Sequence, residues 1–203
     1  MWALERKYVD PAEIDFGPIT PSQLNMAWGF VVLVLLLSLG AAVSAGVMST
    51  KVALYFVPIA VLLGRMAAID MCYLLLLNIY TLPLACLGLV YSPYFLGRPV
   101  SDVIFGIIVG AGVGFLIDIT LSFMRGKGEL GFGDVKMLAA LGAWVGLSSL
   151  PFALMVAFIV NFLLSLVLPK NQAIPFGVGL VGGIWAFSVL EGPFMQLLFK
   201  VFG

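Results

Sequence analysis

Residues 137–169 read MLAALGAWVGLSSLPFALMVAFIVNFLLSLVLP, a run with no Asp, Glu, Lys or Arg anywhere in it. A helical membrane span needs about 20 apolar residues, so this stretch holds more than one. Ser148-Ser149 ahead of Pro151 marks the expected boundary. Outward from it, residues 16–50, 71–97 and 171–190 are equally free of charge. The chain is 63% apolar and 10% charged, where a soluble domain carries roughly 25% charged residues. So few charges cannot cover a water-facing surface. A backbone that meets lipid must satisfy its own hydrogen bonds, which makes the spans helical. The alternating strands of a membrane barrel are not visible.

The expected fold is therefore all-α, a polytopic membrane protein with seven to eight transmembrane or membrane-embedded helices. The spans fall near 26–48, 52–69, 78–96, 103–124, 135–148, 151–168 and 174–190, with an eighth at 192–202. Residues 1–25 form a polar N-terminal tail and residues 26–203 one transmembrane domain. Glu5, Arg6, Lys7, Asp10, Glu13 and Asp15 precede the first apolar run, which starts too late for a cleavable signal peptide.

The net charge is zero, so there is no electrostatic footprint for nucleic acid. The bilayer is the partner that composition dictates. Cys72 and Cys86 lie in apolar surroundings and form no CxxC pair; with no histidine in the chain, a metal site has too few ligands. Arg125, Lys127, Lys136 and Lys170 fall on one face, with Arg65 able to snorkel toward it, while Lys51 and Arg98 fall on the other. Positive charge favours the cytoplasm, which puts the N-terminus, the 125–136 loop and the 169–173 loop on that side of the membrane.

Two acids stand out. Asp70 ends the second span and Asp134 opens the fifth. An outward helix and a return helix separate them, so both emerge on one face. A carboxylate at membrane depth costs roughly 2.5–3.5 kcal/mol on insertion scales and usually serves function. Two close carboxylates can share one proton, the arrangement of aspartic proteases. The ionised acid takes a proton from water while the protonated one polarises the scissile carbonyl. That route needs no metal, cofactor or histidine, whereas a Ser-His-Asp triad is closed to this chain. Gly131 and Gly133 in Gly131-Phe132-Gly133-Asp134 allow a tight turn and a close approach to substrate, and Asp134 sits where amide dipoles favour negative charge. Lys136 adds to that field. From these four residues alone, a plain loop with Asp134 as N-cap reads equally well.

The longer stretch Gly131-Phe132-Gly133-Asp134-Val135-Lys136-Met137-Leu138-Ala139-Ala140-Leu141-Gly142-Ala143-Trp144 resembles the GxGDxKLLAALGAW block of the type IV prepilin peptidases. Ile69-Asp70 through Thr81-Leu82-Pro83-Leu84 is similar to that family's IDxxxxLLPDxLTxPL segment, and Ile174-Pro175-Phe176-Gly177 to its IPFG motif. The three blocks occur in order over residues 69–177. The resemblance implies a membrane aspartyl endopeptidase that removes the leader from prepilin or pseudopilin precursors at the cytoplasmic face, with Asp70 and Asp134 as its catalytic acids. Where the family pattern has Pro-Asp, this chain has Leu77-Asn78. Bifunctional members carry an N-terminal CxxC domain with N-methyltransferase activity; residues 1–25 contain no cysteine, so a peptidase-only form is expected.

Asp118 is the secondary acid. It lies inside the fourth span, either loosely paired with a snorkelling Arg125 or Lys127, or serving as substrate contact or proton relay. Gly106, Gly110, Gly112 and Gly114 are expected to let helices pack closely, the first two with GxxxG spacing. Two other functions compete. A presenilin-like intramembrane protease would use the same dyad, but its late PAL motif is replaced here by Ile174-Pro175-Phe176-Gly177. A transporter could line a proton or cation path with Asp70, Asp118 and Asp134, and an inverted repeat supporting it is not apparent.

Overall fold

The computed structural model describes residues 21–125, 132–168 and 174–202. Residues 1–20 of the expected tail, Gly131, Lys127 and Lys170 lie outside the described residues, as do the side chains of Arg125, Glu191 and Lys200; positions 21–25, also expected in the tail, belong to a helix instead. Six helices are present among the described residues: α1 (Pro21–Ser44), α2 (Thr50–Tyr73), α3 (Asn78–Phe95), α4 (Val100–Arg125), α5 (Phe132–Val167) and α6 (Phe176–Phe202). Four stretches are long and apolar enough to cross a membrane: Ser22–Ser44, Thr50–Tyr73, Val100–Thr120 and Phe132–Val167. The chain is an all-α, multi-pass membrane protein.

The expected count of seven to eight helices meets six elements among the described residues, and the difference lies at two places. The spans placed at 135–148 and 151–168 are two helical segments that run together as α5 across a kink at Gly146 (φ 70°, ψ 171°) rather than a break at Ser148-Ser149. A side chain is strained at that φ, and a Cβ there would also strike the Asp102 carboxylate. Asp102 fills the space a side chain would take. Its Oδ1 accepts from the Ser148 amide and its Oδ2 from the Ser148 hydroxyl, both at 3.1 Å. The half-helix after the break is thus capped from α4, and Pro151 falls in its first turns, where a missing N–H costs little. At the second place 174–190 runs on into 192–202, because the backbone stays helical through Glu191-Gly192-Pro193. Proline is tolerated inside membrane helices, where the freed backbone groups can find other partners. The helix α3 forms as expected. Three tyrosines and two prolines dilute its apolar character, and it is not among the four long apolar stretches.

The central element is α5, which packs most extensively on α4 and α6 and also on α3. On the α4 side the contact is backbone on backbone. Gly106 meets the Gly142 carbonyl, Gly110 the Leu138 carbonyl, and Gly114 has Val135 Cα 3.0 Å from where its Cβ would be. Three of the four expected packing glycines are therefore in use. Gly112 faces open space, with no atom within 4 Å, and that expectation is corrected. It lies two residues from Gly110 and Gly114, on the far side of the helix.

Trp144 anchors the core. It is fully buried, donates from Nε1 to the Leu84 carbonyl at 2.8 Å, and accepts at its own carbonyl from Ser92 Oγ at 3.1 Å. Phe56 packs between Trp144 and Trp185, with ring centroids 6.3 Å from each. Helix α1 lies on α2, where Trp28 donates to the Val61 carbonyl and Arg65 to Asn25 Oδ1. Much of the outer surface is apolar: Phe30, Phe105, Phe162 and Leu166 are all well exposed. Such a surface suits lipid, not water.

Candidate active site

Asp70 lies in the last turn of α2 and is only 4% exposed. Its carboxylate is met from the far end of the sequence. The Val178 amide donates to Oδ2 at 3.1 Å, and Gly177 sits so close that a Cβ there would lie 2.8 Å from the same oxygen. Both amides belong to the first turn of α6, where N–H groups lack intrahelical partners and the helix dipole favours an anion. Asp70 thus caps a helix more than a hundred positions downstream.

Three segments meet around Leu76. Helix α2 ends on Leu74, a non-glycine residue in the left-handed region (φ 53°, ψ 39°), whose amide donates to the Asp70 carbonyl. That conformation costs a side-chain-bearing residue roughly 1–2 kcal/mol. It turns residues 74–77 back beneath the end of the helix. Leu76 then fills the room two glycines leave open. A Cβ on Gly133 would lie 2.9 Å from Leu76 Cβ and from its carbonyl oxygen, and one on Gly177 would lie 2.8 Å from Leu76 Cδ2. All three motif blocks of the sequence therefore reach one end of the bundle.

Asp134 stands in the first turn of α5 beside Gly133, whose backbone lies against Leu76. Lys136 points to α3. Its Nζ donates to Asn78 Oδ1 at 2.7 Å and lies 4.6 Å from the centroid of the Phe132 ring. Asn78, one of the two residues that depart from the motif, thus ties the start of α3 to the start of α5. Asp118 does not join this cluster through any described hydrogen bond; its Oδ1 is buried without a hydrogen-bond partner among the described residues.

Of the residues singled out in the sequence, Asp70, Asp134, Gly133 and Lys136 lie in the elements that converge at this end of the bundle. Reasoning from sequence missed that the Gly177 and Val178 amides are the partners of Asp70, because that contact joins residues with no local pattern in common. It also missed Leu76, one leucine among many.

Residues 55–167 match the model of the type IV leader peptidase family. The chain belongs to that family. Among proteins similar to this leader-peptidase relative is a prepilin leader peptidase/N-methyltransferase of Aeromonas salmonicida (strain A449). It is 33% identical over 132 residues, which cover 60% of this chain and 45% of that protein. Those of Neisseria gonorrhoeae (32% over 107 residues, covering 52% of this chain and 37% of that protein) and Escherichia coli K12 (37% over 92 residues, covering 45% and 41%) bear the same name. The chain spans less than half the length of these relatives. No solved structure matches it.

Proposed function

We propose that this leader-peptidase family member is a membrane-embedded aspartyl endopeptidase. It would remove the leader from type IV prepilin or pseudopilin precursors at the cytoplasmic face of the inner membrane. What supports this reading is that the segments bearing Asp70 and Asp134 converge around Leu76 at one end of the bundle, with Asp70 buried and its carboxylate accepting from the Val178 amide. One acid, ionised, takes a proton from the attacking water. The other, protonated, donates to the scissile carbonyl as its oxygen gains charge. The tetrahedral intermediate then collapses, and the departing amine receives a proton from the acid that acted as base. Like charges at close range favour a single shared proton across the pair, which is the protonation state this sequence of transfers requires.

The basic residues support the side of cleavage. Lys136 is at the Asp134 end of the bundle, with Arg125 closing α4 just ahead of that loop, whereas Arg98 and Asp102 lie by the break in α5. The relatives' names supply the substrate class; their methyltransferase half is not carried over.

Co-expression of a prepilin-like subunit with wild type, Asp70→Asn, Asp134→Asn and Asp118→Asn tests the reading. Leader removal is expected to stop in the first two variants and continue in the third. Normal cleavage by folded, membrane-inserted Asp70→Asn or Asp134→Asn would remove the aspartyl mechanism and bring the transport reading forward.

A further inference from the structure

Asn161 is the lone amide side chain in the charge-free run 137–169. It is 8% exposed and sits on the stripe of α5 that faces α6. Along that stripe the residues one and two turns earlier are small and apolar: Ala153 has its carbonyl beneath Gly183, and Ala157 has its carbonyl beneath Gly179. Packing alone calls for another small apolar residue at the third position. Instead Asn161 reaches across and donates from Nδ2 to the Phe176 carbonyl at 3.3 Å. Its Oδ1 is buried with no hydrogen-bond partner among the described residues. An apolar side chain would avoid that cost, so the one bond Asn161 makes carries the weight.

Phe176 opens α6, and the next two residues supply the amides that meet Asp70. Gly179 completes the geometry from the other side: a Cβ there would lie 2.5 Å from Asn161 Cγ. We propose that Asn161 is a positioning residue for Asp70, its amide fixing the first turn of α6 so that the Gly177 and Val178 amides stay aimed at the carboxylate. The proposal rests on Asp70 being one of the two reacting acids. Asn161 is buried between two helices and acts through Phe176, so its loss reaches the chemical step and not substrate affinity.

The full chain in liposomes, given a peptide with a prepilin-type leader junction, tests this alongside hydrogen exchange over residues 176–181. Asn161→Leu is expected to lower kcat about tenfold with KM kept within about twofold. Val178 should lose exchange protection while the other helices keep theirs. Gly179→Ala displaces the same amide from the facing helix; it is expected to give the same pattern and serves if Asn161→Leu does not fold. Full kcat with unchanged Val178 protection in a folded variant overturns the proposal, and wild-type cleavage in that experiment leaves the peptidase reading standing. Exchange that rises evenly over all helices also overturns it, since that marks general destabilisation. A folded wild type that cuts no leader sinks the peptidase reading instead, and Val178 exchange then decides the positioning role by itself.

Discussion

Leu74 and Asn78 show how single residues set the site. Leu74 holds a left-handed conformation that glycine adopts without penalty. Leu74→Gly is expected to leave thermal stability unchanged or raised by about 1 kcal/mol. It should nonetheless lower cleavage, because the turn that presents Leu76 to Gly133 and Gly177 loses its restraint. Melting and activity of one purified variant check both halves. Asn78→Asp converts the neutral bond from Lys136 into an ion pair and restores the acid of the family pattern. At an exposed position the gain should stay within about 1 kcal/mol, read as a small rise in melting temperature with leader cleavage retained. The site residues divide by how far apart their partners lie. Asp70 and Asp134 stand out in the sequence as candidates because charge is conspicuous in an apolar chain. The Val178 amide does not, because every residue except proline carries one and only the fold decides which meets a carboxylate.

Among the elements, α5 carries the clearest contrast. Gly106 and Gly142 face each other across the α4–α5 contact, and a methyl on Gly106 would strike the Gly142 carbonyl. Gly106→Ala is therefore expected to cost roughly 1–3 kcal/mol by overpacking, seen as reduced folded yield in membranes. Gly112→Ala, which meets nothing within 4 Å, should behave as wild type. Equal yields for the two would remove the close-packing account of this face. The helical positions were readable from charge-free runs and boundary residues. The break in α5 was misplaced by a few residues because Pro151 and the serines are louder in sequence than one glycine. What fixes Gly146 is Asp102, far off in the chain, and its cap on Ser148. Likewise Pro193 announced an end that the α6 backbone does not make.

At the scale of the whole molecule, the four long apolar stretches and the apolar outer surface commit the chain to the bilayer. The site then has to sit at one end of the bundle. Phe132, 69% exposed beside Asp134, and Pro99, exposed before α4, mark the two ends. Single cysteines at these positions, with Cys72 and Cys86 replaced by serine, are expected to react with an impermeant thiol reagent from opposite sides. Phe132→Cys should be labelled from the cytoplasm. Labelling of both from one side would contradict the arrangement.

The central claim is that Asp70 and Asp134 work as one unit, and a mutant cycle in liposomes tests it most directly. Initial rates of leader removal would be compared for wild type, Asp70→Asn, Asp134→Asn and the double variant, each confirmed as folded. Groups that act as a unit show strongly non-additive losses. Each single substitution is therefore predicted to reduce the rate to the level of the double variant. Substantial cleavage in either single variant, or two partial losses that multiply in the double, would contradict a shared two-aspartate mechanism.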